Sequence, residues 1–257
     1  MAKWTPFPHL GDYHFDAANL KTYWARLHMG DAEPLPLQTA VLQAWALLHN
    51  GDFQAAAEAG RQAGNPGATV AAKATAIYAT YLEEKEKTRL DLFLQVAERA
   101  QALADDEPQN PNAWYWHAYA LNRYSQSISV AKALAQGLGN KIKESLEKTI
   151  ALAPHHADAR ITLGAFHAEV IDKVGALIGS MTYGAKKDKS LKLFQEALQL
   201  HPGSAIGCIE YANALVILEG VLKMKEATAL YEQAATSEAA DALERLDIEM
   251  ARTELHH

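Results

Sequence analysis

Histidine is the side chain best suited to chemistry in this sequence, which contains eleven of them. A metal site or an acid–base pair needs such side chains on one face of a helix, for example four residues apart. No two histidines have that spacing. His155, His156 and Asp158 cluster after Pro154, where polar residues usually cap a helix. We therefore predict no metal site, no cofactor and no catalytic set.

Three other features have both a chemical and a structural interpretation. His117 and His167 could face one groove as ligand contacts or a general base, or they could be packed histidines, and no matching nucleophile is visible. Cys208 is the only cysteine, which excludes a disulfide framework, and we expect it to pack in the core. The glycine-rich stretch 137–141 lacks the full phosphate-loop pattern and follows no predicted strand. It is either a flexible turn or an anion-binding helix start beside Lys141 and Lys143.

The elements that would position these residues are helices. Apolar residues recur at three- and four-residue spacing, as in Leu191, Phe194 and Leu198, and alternating strand-like runs are absent. Short connections rich in Gly, Pro, Asn or Asp separate the helical segments. Connections of this length favour paired antiparallel helices.

The helical segments also repeat one another. Residues 142–154 align with residues 189–202, and residues 226–234 follow the same pattern without the final proline. Trp114 stands near the start of a first helix, Leu163-Gly164 in the middle of one, and Phe194 in a second helix. These residues resemble tetratricopeptide repeats (TPRs), helix–turn–helix units of about 34 residues. The resemblance implies an all-α, right-handed α-solenoid whose first helices line a concave groove.

We predict a single solenoid domain over residues 1–257. Its predicted parts are an N-terminal helix at 13–29, repeats at about 37–64, 68–105, 112–153, 156–201 and 204–236, and a C-terminal capping helix at 238–254.

Two repeats are longer than the period, with insertions before Ile142 and at 171–187. Over about residues 112–235 such insertions are similar to those of two TPR subgroups, the regulator-of-microtubule-dynamics type and the T-component of periplasmic tripartite transporters. The glycines of residues 174–183 argue against a stable lone helix. This segment is therefore expected either to enter the groove or to expose an apolar patch.

Charge is distributed unevenly along the chain. The net charge of −7 argues against a general nucleic-acid-binding role. Residues 1–121 carry 9 basic and 14 acidic side chains, residues 122–200 carry 11 and 7, and residues 201–257 carry 4 and 10. The positive centre coincides with the two insertions. It is either a solvated lysine surface or a patch for an acidic peptide, an anionic ligand or another subunit.

The residue types that usually anchor partners give the candidate binding site. The predicted partner- or ligand-binding residues are Tyr119, Asn122, Arg123, Tyr124, His167, Asn213, Lys141, Lys143, Lys186 and Lys187.

We predict a non-enzymatic scaffold that binds a protein or peptide in its concave groove. One alternative, implied by the transporter resemblance, is a binder of an anionic or amphipathic small molecule, with the insertion 171–187 lining a cavity beside Met181 and Tyr183. A weaker alternative is a self-assembling, homo-oligomeric subunit. The N-terminal residues show no apolar run after a basic start, and no segment has the length of a membrane span, so we expect a cytoplasmic protein.

Overall fold

The computed structural model describes residues 3–255, and this part of the chain is helical without a strand. His256 and His257, which the sequence leaves open as native or added residues, lie outside the described residues. The α-helices are α1 Leu20–Leu27, α2 Thr39–His49, α3 Phe53–Gln62, α4 Ala68–Tyr81, α5 Glu86–Asp106, α6 Pro111–Gln126, α7 Val130–Ala135, α8 Leu138–Leu152, α9 Ala157–Val174, α10 Ala176–Tyr183, α11 Lys187–Leu200, α12 Ala205–Glu219, α13 Met224–Thr236 and α14 Ala242–Leu255. Two short 3₁₀ helices are Asn65–Gly67 and Gly220–Lys223.

Side-chain caps begin several of these helices at the predicted punctuation. The Asn110 side chain accepts hydrogen bonds from the backbone amides of Asn112 and Ala113, and Pro111 occupies the first position of α6. Ser204 caps α12 by accepting from the amide of Gly207 at 3.0 Å. Such caps satisfy amides that have no partner inside the helix, so each helix begins where local chemistry favours it.

The described chain separates into two compact units. The first unit comprises the chain up to His28, Glu33–Leu138 and Asp241–Leu243. Within it α2, α3, α4, α5 and α6 pack in chain order, each against the next. Its core includes Trp24 and Trp45, whose rings meet edge to face with centroids 5.7 Å apart.

The second unit comprises Met29–Ala32, Gly139–Ala240 and the chain from Glu244 onward. Here α9 packs against α11 and α12, and α12 packs against α13. Ile248 and Ala251 of α14 are buried with Cys208 and Ile209 of α12 and Ala234 of α13. The predicted organisation into one domain, with its repeat boundaries, stays a prediction.

Two local features differ from the sequence-based expectation. The helix expected at 13–29 is described as helical only from Leu20, because the Asp16 carboxylate accepts hydrogen bonds from the amides of Ala18 and Asn19 and holds a turn there. The segment 174–183 does form a helix, α10. Gly175 and Gly184 have positive φ angles of 81° and 64° at its two ends, whereas Gly179 lies inside the helix and is buried against Val170 of α9.

Contrary to the sequence-based expectation, one described stretch, Ala205–Thr236, contains an 18-residue window with the length and apolar composition of a membrane span. In the structure it is divided by the 3₁₀ helix at Gly220, and 44% of that window is buried against other helices. Core helices of soluble proteins have the same composition, so this observation is weak evidence for a membrane span.

Candidate interaction surface

The four predicted groove residues of α6 differ in their accessibility. Tyr119 and Arg123 are partly exposed, with the Arg123 guanidinium 5.3 Å from the Tyr119 ring centroid. The Tyr119 hydroxyl lies 2.9 Å from Thr80 Oγ1 of α4. Asn122 and Tyr124 are buried, and the Lys132 ammonium of α7 lies 5.6 Å from the Tyr124 ring. The insertion therefore supplies a side chain that contacts one of the residues expected to bind a partner.

His167 and Asn213 lie in the second unit and have opposite surroundings. His167 is fully buried, and neither ring nitrogen has a hydrogen-bond partner among the described residues. Burial, and then the charge of Lys189, lowers the pKa of His167 from 6.5 to about 4, so the ring is neutral at pH 7. Asn213 is exposed, and its side-chain oxygen accepts a 2.5 Å hydrogen bond from the Tyr231 hydroxyl.

Burial corrects the prediction for three of these residues: Asn122, Tyr124 and His167 do not face an open groove in this structure. The prediction assumed first helices with one exposed face. Instead α4, α6 and α9 are buried around most of their circumference, and α4 even buries Lys73, whose ammonium lies 5.5 Å from the Trp45 ring. A helix that packs on several sides presents little surface to a partner.

The four predicted lysines are on the surface, but two of them make ion pairs. Lys143 lies 3.6 Å from Glu147, and Lys187 lies 2.7 Å from Glu219. Lys141 and Lys186 are exposed, and their ammonium groups make no hydrogen bond or ion pair within the described residues. The positive centre of the sequence is therefore partly neutralised, because acidic residues from inside and outside this stretch pair with its lysines.

The surroundings of His156 and Cys208 give these two side chains structural roles. His156 is buried and caps α9, its Nδ1 accepting from the amide of Ala159 at 3.1 Å. Burial raises the pKa of the Cys208 thiol to about 11, which disfavours the reactive thiolate. Among the described residues no group of three or more His, Cys, Asp or Glu side chains is arranged to hold a metal ion.

The most exposed large apolar side chains of the second unit fall in two segments that we call the apolar edge. Leu177 and Met181 of α10 are 75% and 80% exposed, and Val221 and Leu222 of the 3₁₀ helix are each 84% exposed. Ile178 is exposed as well. An exposed apolar patch at the insertion is one of the two outcomes that the sequence predicts. Residues 221–222 were not predicted, although they directly follow an apolar helix.

Packing brings the ends of the helices that precede these two segments, α9 and α12, to the same side of the second unit. Ile161 and Ala165 of α9 share a core cluster with Ala212 and Leu215 of α12. α11 packs on both helices and runs antiparallel to α9, because Arg160 contacts Glu196 and the Gly164 carbonyl accepts from Ser190. Since a short connection joins α11 to α12, α9 and α12 run in the same direction and end at the same side. The 2.7 Å ion pair between Lys187 and Glu219 joins the start of α11, just after α10, to the end of α12.

The fold class is confirmed by comparison with known structures. No protein-family model matches the chain, and no curated protein matches its sequence significantly. A thermophilic TPR protein from Thermus thermophilus superimposes with a TM-score of 0.58 at 15% identity, over 83% of this chain and 97% of that chain. The chain therefore has an all-α helical-repeat fold of the TPR type. The predicted subgroup stays a prediction.

Proposed function

We propose that this protein is a non-enzymatic scaffold of the TPR type, in the cytoplasm, which binds an acidic amphipathic helix of a protein partner at the apolar edge. The observation that carries the proposal is the exposure of Leu177, Met181, Val221 and Leu222 on one side of the second unit. Soluble proteins rarely leave several large apolar side chains together in water unless that surface is covered by a partner.

Charge supports an acidic partner. Lys173, Lys186 and Lys225 are exposed beside the apolar edge, and their ammonium groups have no ion pair within the described residues. Asp172 and Asp188 are exposed acids nearby, and Glu226 pairs with Lys223. An amphipathic helix would place apolar side chains on the edge at i, i+3 and i+4 spacing. Acidic residues along its flank would then meet the lysines, which favours association and fixes its orientation.

The structure gives less support to the other predicted sites. A groove lined by the first helices would need Asn122, Tyr124 and His167 at its surface, and all three are buried. A ligand cavity beside Met181 would need that side chain in an enclosed wall, but it is 80% exposed. Self-assembly through the apolar edge stays open as an alternative that the experiment distinguishes.

The test uses a display library of 16-residue random peptides selected against the purified protein. We expect selected peptides to carry apolar residues at helical spacing with acidic neighbours. Their binding should fall at least about tenfold in a Leu177→Asp/Leu222→Asp variant. Leu37→Asp is the matched control, because Leu37 is also an exposed leucine, 98% accessible, but lies in the first unit. Equal binding by the edge variant and the parent protein would overturn the proposal.

Two further measurements test whether a second copy of the protein or a lipid bilayer covers the apolar edge instead. Sedimentation of the parent protein across concentrations would show an oligomer that the edge variant lacks if a second copy covers the edge. Co-sedimentation with vesicles of phosphatidylcholine and phosphatidylglycerol would show edge-dependent binding if the surface takes a bilayer. If peptide binding does not depend on the apolar edge, the first result would identify a second copy of the protein as the partner, and the second result would identify a bilayer.

A further inference from the structure

A cavity of about 460 Å³ lies in the first unit, among α3, α4, α5, the start of α6 and the N-terminal segment. Its volume is typical of sites that hold a small molecule. The space exists because small side chains line the helices that form it, including Ala68 and Ala72 of α4 and Ala100 and Ala102 of α5. All of the residues that line the cavity belong to the first unit, whereas the apolar edge belongs to the second.

One end of the cavity is aromatic and held in place by hydrogen bonds. The Trp4 ring stacks on the Tyr78 ring with centroids 4.1 Å apart, and the Trp4 amide donates to Gln54 Oε1 at 2.9 Å. The Tyr78 hydroxyl donates to Glu83 at 2.9 Å, so that acidic residue of the wall is already engaged. These contacts fix the N-terminal segment as a preformed wall, and the buried Trp116 ring adds further aromatic surface.

Arginine side chains from two helices contribute to another part of the wall. Arg61 comes from the last turn of α3 and Arg99 from the middle of α5. Burial, followed by the positive charge of Arg99, lowers the pKa of Arg61 below its usual value, while the charge of Glu58 acts in the opposite direction. Arg99 is exposed, and its guanidinium has no hydrogen bond or ion pair within the described residues. Lys3 adds a third cation, against Glu83 and Asp106 as the acids of the wall.

We propose that this cavity binds a small amphipathic carboxylate. Its carboxylate lies between Arg61 and Arg99, and its apolar body lies against the alanines of α4 and α5. A carboxylate fits two neighbouring guanidinium groups because it accepts paired hydrogen bonds and relieves their mutual repulsion. The apolar walls bury the remainder of the molecule. A simple inorganic anion has no apolar part that could contact these walls.

Decanoate is the probe, and decanol, which has the same chain without the charge, is its comparison. Binding is followed by titration calorimetry and by the change in tryptophan fluorescence, because Trp4 and Trp116 line the cavity. We expect saturable decanoate binding, at least about tenfold tighter than that of decanol. Arg99→Gln should weaken decanoate about tenfold and reduce this preference, whereas Arg89→Gln, on the same helix but outside the cavity wall, should leave both unchanged.

A cavity-filling variant tests whether decanoate binds inside this cavity. Ala72→Phe should remove binding of both molecules while the far-ultraviolet circular dichroism stays that of the parent protein. If that variant fails to fold, Ala102→Phe at the exposed rim is expected to give the same loss. The proposal is overturned by any of three results: no saturable binding to the parent protein, equal affinity for decanoate and decanol, or undiminished decanoate binding in the folded filling variant.

Discussion

The Nδ1 atom of His49 lies 2.6 Å from a carboxylate oxygen of Asp241, a residue 192 positions further along the chain, and both side chains are buried. On its other side, Nε2 of His49 lies 3.3 Å from Nε2 of His28. Trp24 stacks on His28 with ring centroids 3.9 Å apart. This buried polar chain therefore ties the segment before α14 into the first unit.

Removing the carboxylate should destabilise the protein strongly, because a buried imidazole would lose its partner. We expect Asp241→Ala to lower the free energy of unfolding by about 3 kcal/mol in urea titrations followed by circular dichroism. Glu238→Ala is the control, since Glu238 is exposed three residues earlier, and its effect should stay within about 0.5 kcal/mol. Additive effects of Asp241→Ala and His49→Ala in the double variant would contradict the inferred coupling.

Stability should also depend on pH through His167. Its pKa is about 4 in the folded protein and 6.5 in the unfolded chain, so the unfolded chain binds more protons between these values. The contribution of His167 to the free energy of unfolding is complete above pH 6.5 and is lost as the pH falls toward 4. We expect the parent protein to lose about 2 kcal/mol more than a His167→Leu variant between pH 7 and pH 5.

The matched control is His155→Gln, because His155 is exposed at the start of the same repeat. Urea unfolding at both pH values measures the difference for each protein. If His155→Gln reduces the pH dependence as much as His167→Leu does, the buried ring is not its source.

Gly164 provides a test of close packing between α9 and α11. A Cβ at this position would come within 2.9 Å of the Phe194 ring, and the Gly164 carbonyl accepts a 2.7 Å hydrogen bond from the buried Ser190 hydroxyl. Gly164→Ala should therefore destabilise by about 1–3 kcal/mol, although alanine favours a helix. Gly203→Ala, where an added methyl meets nothing within 4 Å, should change stability little. The melting temperatures of both variants test this prediction. A Gly164→Ala protein that is more stable than the parent protein would refute close packing at this position.

Cys208 should be inert in the folded protein. It is buried in the cluster beneath α14, and burial raises the pKa of its thiol to about 11. We expect a disulfide reagent that releases a coloured thiolate to react with the native protein at least about a hundredfold more slowly than with the protein in guanidinium chloride. Equal rates in the two conditions would show that the thiol is accessible.

Local chemistry in the sequence determined the helical class and many helix limits. Asn110 and Ser204 begin helices through hydrogen bonds with residues two or three positions away, and Pro111 occupies the first position of α6, so these limits are visible in the sequence. Gly164 and Phe194 are also positions of the repeat pattern, and the structure packs them against each other between α9 and α11.

Accessibility and long-range contacts were decided by tertiary structure. Nothing local in the sequence distinguishes buried Asn122 from exposed Asn213, because exposure depends on which other helices pack around each one. The contact between His49 and Asp241 joins parts of the chain that no short pattern relates. Helical periodicity predicts which faces are apolar, but only packing determines which of those faces remain in water.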